Sequence, residues 1–76
     1  MEFQALSEVR PGHRVRLVSI NGGRRFTRRM LSLGLSVGNE LDVLHRRGRG
    51  VVVGKDGNRV ALGGNVAEKL LTEVVR

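Results

Sequence analysis

The stretch "RRMLSLGLSVGNELDV", Arg28 to Val43, decides how the rest of the chain is read. Its first half has helical spacing. Phe26, just ahead of it, recurs with Met30 and Leu33 at i, i+4 and i+7, an apolar stripe that predicts a helix from Arg24 to Leu33. Arg25, Arg28, Arg29 and Ser32 fall on one polar flank of that helix. Leu31 lies well off the stripe at about 100° per residue. Gly34 stands where a helix stop needs a positive φ, and Leu35 is the apolar residue just past it that folds back on the last turn. Ser36-Val37-Gly38-Asn39 is then a turn into a strand, Glu40 to Arg46, with Leu41 and Val43 on one face.

Working outward, the segments on both sides read as β structure. Upstream, "FQALSEVRPGHRVRLVSI" is a short lead-in, a turn at Pro11-Gly12 and a strand from His13 to Ile20. Val15 and Leu17 share one face of that strand, while Val18 and Ile20 fall on the other. The strand is therefore either covered on both sides or carries a bulge. Asn21-Gly22-Gly23 breaks it. Downstream, "RRGRG" is a loop and Val51–Val53 a short apolar strand. Asp56-Gly57 is a hairpin signal, and Arg59–Leu62 returns with Val60 and Leu62 inward. Asn65 with Glu68 three residues on has the form of a capping box, which predicts one helical turn before a last strand at Leu71–Val75. The expected fold class is mainly β: a small, strongly bent barrel of five strands, one inserted α-helix and a short helical turn before the last strand.

Composition bounds the rest. A chain of 76 residues is expected to form a single domain, 1–76. It buries only about 60% of the surface its unfolded form exposes. There is no cysteine, so neither a disulfide nor a thiolate metal site supports the core. Two phenylalanines are the only aromatic residues, so valine and leucine must fill the interior. No apolar run approaches the roughly 20 residues of a membrane span, and Met1–Leu6 lacks the form of a signal peptide. A cytoplasmic location without membrane insertion is the expectation. The net charge of +7 rests on fourteen basic residues, twelve of them arginine. Such a balance points either to an acidic partner (nucleic acid, a membrane surface or an acidic protein face) or to arginine that merely keeps a small barrel soluble.

Candidate chemistry is sparse. His13 and His45 sit on different elements, with Glu40 and Asp42 near the second, short of the three or four converging ligands a zinc or iron site wants. No metal site, cofactor or catalytic residue is assigned, and the chain is not expected to be an enzyme. Glu40 and Asp42 share a strand face, but neighbouring arginines balance them. "NGGRR" lacks the lysine and Ser/Thr of a phosphate-cradling loop. An arginine acting in trans on a partner GTPase is conceivable from Arg25, Arg28 or Arg29. "RRGRG" is the best argument for nucleic acid, but small barrels that bind single strands stack bases on exposed aromatics, and here only Phe3 and Phe26 are candidates. Leu31 and Leu35 cannot both enter a core shared with Phe26, Met30 and Leu33 without crowding. One of them is expected to line an exposed groove, an apolar centre with an arginine rim, which favours protein binding.

The order of these features resembles the FeoA family of ferrous iron transport proteins, over nearly the whole chain. The resemblance rests on "RRMLSLGLSVG" at 28–38, the "ELDVLHR" strand, "RVALGGNVAEKL" and a terminal strand. Arg29, Leu31, Leu33, Gly34, Leu35, Gly38, Ala61, Leu62 and Ala67 fall on matching positions. Val37 stands where the family usually has proline. "HRRGRGVV" is shorter and richer in arginine than the family's Pro- and Leu-containing loop, and Gly63-Gly64 replaces a common basic residue.

The resemblance implies an SH3-like barrel and a small cytoplasmic accessory protein. Its partner would be FeoB, a membrane ferrous-iron transporter that carries its own GTPase domain. The same barrel ends metal-dependent repressors behind a helix-turn-helix, for which a chain of this length has no room. The expected docking surface is the helix-to-strand corner. Leu31 and Leu35 would anchor it, and Arg25, Arg28, Arg29, Arg46, Arg47 and Arg49 would steer it onto an acidic face. A nucleic-acid-binding barrel is the alternative, and a homo-oligomer around an apolar groove stays open.

Overall fold

The computed structural model describes residues 2–75. Nine elements follow one another: β1 (Gln4–Ala5), a 3₁₀ turn (Leu6–Glu8), β2 (Arg14–Ile20), α1 (Gly23–Ser32), β3 (Glu40–Arg47), β4 (Gly50–Lys55), β5 (Asn58–Leu62), α2 (Gly64–Ala67) and β6 (Leu70–Val75). The six strands form one antiparallel sheet in the order β1-β6-β2-β3-β4-β5. The strand beyond the five expected is β1. It has two residues, too short for a period of two to register in the sequence.

The sheet curls. The 3₁₀ turn contacts both β6 and β4, which lie in opposite halves of the strand order, and α2 packs against β4 and the same turn. Two bulges bend it. Between β2 and β6 the register slips between Leu17 and Ser19, leaving Val18 as the extra residue. The slip resets the alternation, so Val15 and Leu17 point inward and Ile20 also packs against the core. Of the two readings open for this strand, the bulge is the one found. A second slip between Val43 and His45, with Leu44 extra, bends β3 over β4.

The core is aliphatic. Leu6, Val9, Val15, Leu17, Met30, Leu35, Leu41, Val43, Val51, Val53, Leu62, Ala67 and Leu70 are buried, and Ile20, Phe26, Val60 and Val66 pack against them. The one buried threonine, Thr72, has its hydroxyl satisfied by donating to the Gln4 carbonyl at 2.9 Å, which also ties β1 to β6. The β4–β5 hairpin turns on Asp56 and Gly57, both at positive φ, the pattern of a type I′ turn.

α1 stops as its sequence requires, with one exchange of residues. Gly34 has φ +84°. The Gly34 amide donates to the Leu31 carbonyl at 2.9 Å and the Leu35 amide to the Met30 carbonyl at 2.9 Å, the two bonds of a Schellman stop. This geometry swings Leu33, the expected third member of the apolar stripe, outward to 43% exposure and seats Leu35 in the core at 0%. The following turn holds β3 to β2. Asn39 Oδ1 accepts from the Ser36 amide and hydroxyl, and the Gly38 amide donates to the Leu17 carbonyl.

The expected capping box at Asn65 and Glu68 is absent. The N-cap of α2 is Gly63, without a side-chain cap, and the Glu68 carboxylate is taken by Arg49 instead. Capping from within the segment lost to an ion pair from across the fold.

Candidate arginine-rich docking face

α1 carries five of its ten residues as charge or bulk directed away from the barrel. Arg24, Arg28 and Leu31 recur at i, i+4 and i+7 on its outer side, opposite the buried Met30 and the partly buried Phe26. Arg25 and Arg29, also one turn apart, flank that stripe. Gly22, Arg25, Phe26, Arg28 and Arg29 line one shallow depression. No acidic residue lies within α1 to neutralise this run. Phe26 lies flat against the backbone where the helix begins. A Cβ on Gly22 would come within 2.5 Å of its ring, so glycine is required there for space.

A second group of basic residues comes from the β3–β4 hairpin. Arg46, Arg47 and Arg49 are exposed at its tip. Arg46 and Arg49 share a groove with Asn21, Glu68 and Lys69. The Asn21 amide donates to the Lys69 carbonyl at 2.8 Å, which brings this groove to the start of α1. Lys69 Nζ sits 5.1 Å from the centre of the Phe26 ring, a cation–π contact. Lys69 and Phe26 thus connect the arginines of the helix with those of the hairpin. Arg24 and Lys69 were missed from sequence. Arg24 was legible from its spacing to Arg28 and Leu31, whereas nothing local signals Lys69.

Glu8 and Glu68 line the groove with Arg46 and Arg49, and three further acidic residues are held on the sheet. On β2, β3 and β6, Arg14 donates to Glu40 at 2.8 Å and to both oxygens of Asp42 at 3.0 Å, while Arg16 donates to Glu73 at 2.7 Å. The hydrogen bond from Arg14 holds the Glu40 carboxyl below its ordinary pKa, and the same bond raises Arg14. Glu40 and Asp42 are thereby engaged as the partners of an arginine. Among the described residues no three of His, Asp or Glu come together as a metal-holding group.

Among the described residues, Arg24, Arg25, Arg28, Arg29, Arg46, Arg47 and Lys69 make no salt bridge. Arg49 departs from the expectation for it, since its guanidinium is paired with Glu68 and joins the hairpin to α2. Leu35 departs further. It was expected to anchor a partner, and a fully buried side chain offers a partner no surface. The exposed apolar residues of this corner are Leu31 at 60%, Val37 at 59% and Leu33 at 43%. No helix among the described residues is long and apolar enough to cross a membrane.

Comparison with known proteins agrees with this fold. The FeoA domain family matches residues 4–74. The Fe(2+) transport protein A of Methanocaldococcus jannaschii is 26% identical over 68 residues, covering 90% of this chain and 83% of that protein. Among solved structures, the crystal structure of an iron uptake regulatory protein, FeoA, superposes with a TM-score of 0.87 at 27% identity, covering 99% of this chain and 100% of that one. The FeoA protein of Chlorobium tepidum superposes at 0.82 with 28% identity, covering 96% of this chain and 71% of that one. A manganese-dependent transcriptional repressor in complex with manganese superposes at 0.88 with 25% identity, but its matched part is 38% of that chain. The curled sheet is an SH3-like barrel, and the chain belongs to the FeoA family, which serves ferrous iron transport.

Proposed function

We propose that this protein is a cytoplasmic, non-enzymatic accessory subunit that binds and modulates FeoB, the membrane ferrous-iron transporter. The reading is carried by one observation: an unneutralised arginine face on α1 runs directly into three exposed aliphatic side chains at the helix-to-strand corner. Apolar residues that desolvate at the centre of a contact, ringed by arginines, make up a protein-docking layout. Leu31 is the anchor, with Leu33 and Val37 beside it. Arg25, Arg28 and Arg29 steer the encounter onto an acidic face, and Arg46 and Arg47 extend the rim. Arg49 serves the barrel itself through Glu68.

The test is capture of the transporter's cytoplasmic domain in detergent, without lipid. Leu31→Asp is expected to weaken capture at least tenfold, because hot-spot truncations cost about 2 kcal/mol or more. It should leave the melting curve of the barrel unchanged. Undiminished capture by this variant removes the anchor. Failure of the unaltered protein to capture the domain, together with salt-sensitive binding of an oligonucleotide, replaces the reading with a nucleic-acid-binding barrel.

A further inference from the structure

We infer that the outer stripe of α1 is a binding surface for anionic lipid headgroups, used while the corner is free of the transporter, because Arg28, Leu31 and Val37 can serve only one of the two contacts at a time. The inference rests on the transporter reading for its place in the cell and goes beyond it in naming a second partner. Three observations carry it. Arg24 and Arg28 occupy the most outward positions of α1, are exposed, and belong to no ion pair among the described residues. Leu31, one turn further along the same stripe, is 60% exposed, and Val37 beyond the helix stop is 59% exposed. The acidic residues Glu40, Asp42 and Glu73 are held by Arg14 and Arg16 on the sheet, so they do not screen the helix.

This combination selects lipid over the other polyanions. Guanidinium groups match phosphodiester headgroups, and Leu31, in the same row as Arg24 and Arg28, enters the headgroup–acyl boundary. The contact is mainly electrostatic with one aliphatic foothold, because the apolar face of α1 is taken up by the barrel core. A single-stranded nucleic acid would need exposed aromatic platforms. Phe26, the aromatic residue of this helix, is partly buried, with Gly22 close against it and Lys69 over its ring, and Phe3, 49% exposed, precedes β1 and is not on the helix. No helix among the described residues is long and apolar enough to cross the bilayer, and the proposed contact is with its surface.

The experiment is co-sedimentation of the full chain, without transporter, with vesicles of pure phosphatidylcholine and vesicles containing about one-third phosphatidylglycerol. Binding is expected only to the anionic vesicles and should fall as salt shortens the screening length. Each of Arg24→Gln and Arg28→Gln is expected to weaken binding about fivefold. Leu31→Ser should weaken it severalfold, while Arg59→Gln, on exposed β5, should leave it unchanged. Equal loss from Arg59→Gln and Arg24→Gln would show net charge acting without a defined face and overturn the inference. So would equal binding to neutral vesicles, or tighter binding of a single-stranded oligonucleotide than of the anionic vesicles. The detergent capture of the transporter domain reads the docking proposal separately, so either can fail alone.

Discussion

The amide of Leu35 donates to the carbonyl of Met30 at 2.9 Å, and both side chains are completely buried. The bond and the burial of both side chains are two halves of one device that ends the helix and returns the chain to the core. Gly34 makes it feasible by standing at φ +84°. A Cβ there would meet nothing closer than Lys55 Nζ at 3.9 Å, so substitution costs conformation rather than space. Gly34→Ala is therefore expected to destabilise the barrel by about 1–2 kcal/mol without changing its packing. Urea denaturation should show a lower midpoint at unchanged slope.

Leu31 and Leu35 differ by four positions and by nearly everything else. Leu35→Ala opens a cavity in the aliphatic core and should cost about 2–5 kcal/mol, a large part of the stability of so small a domain. Leu31→Ala should stay within about 0.5 kcal/mol. Thermal melts of the two variants side by side check the assignment of one to the core and the other to the surface.

Val37 is the first central residue of the Ser36–Asn39 turn, ahead of Gly38 at φ +98° and with the Asn39 amide closing onto the Ser36 carbonyl at 3.1 Å. That is the pattern of a type II turn, whose first central position suits proline. The Val37 side chain is exposed, so nothing in the core depends on it. Val37→Pro is expected to stabilise the protein by about 0.4–1 kcal/mol, chiefly by restricting the unfolded chain. A raised melting temperature is the readout.

Glu40 gives a small acid sensitivity. Its carboxyl is held below the ordinary range first by the hydrogen bond from Arg14, aided by the charges of Arg14 and Arg16. A depressed carboxyl contributes stability that is complete above its unfolded pKa and disappears as pH falls through the folded value. Arg14 stays charged throughout. Glu40→Gln should flatten part of the loss of stability on acidification, and added salt should shrink the difference, since the pair is exposed. Melting temperatures taken from neutral to acidic pH, at low and high salt, decide this.

What the sequence made legible was local. The helix stop at Gly34, the turn at Asp56-Gly57 and the inward pairs Val15 with Leu17 and Leu41 with Val43 are each written within a few adjacent residues. The exchange of Leu33 for Leu35 was not, because stripe spacing extrapolates a straight helix past the point where the Schellman bonds redirect the chain. The pairing of Arg49 with Glu68 joins residues 19 apart, and it withdrew both from the roles their neighbours suggested. In the docking face, the arginines of α1 are visible from helical spacing. The convergence of Asn21, Arg46 and Lys69 depends on how the sheet curls.

The strand order has a consequence for biosynthesis. β6 lies between β1 and β2 in the sheet, though it follows every other described element in the sequence. While a ribosome still holds Leu70–Val75, the flank of β2 carrying Leu17 has no neighbour, and β1 has nothing to pair with. The nascent chain therefore exposes the unpaired N–H and C=O groups of that edge until β6 emerges and pairs residues as distant in sequence as Arg14 and Val75.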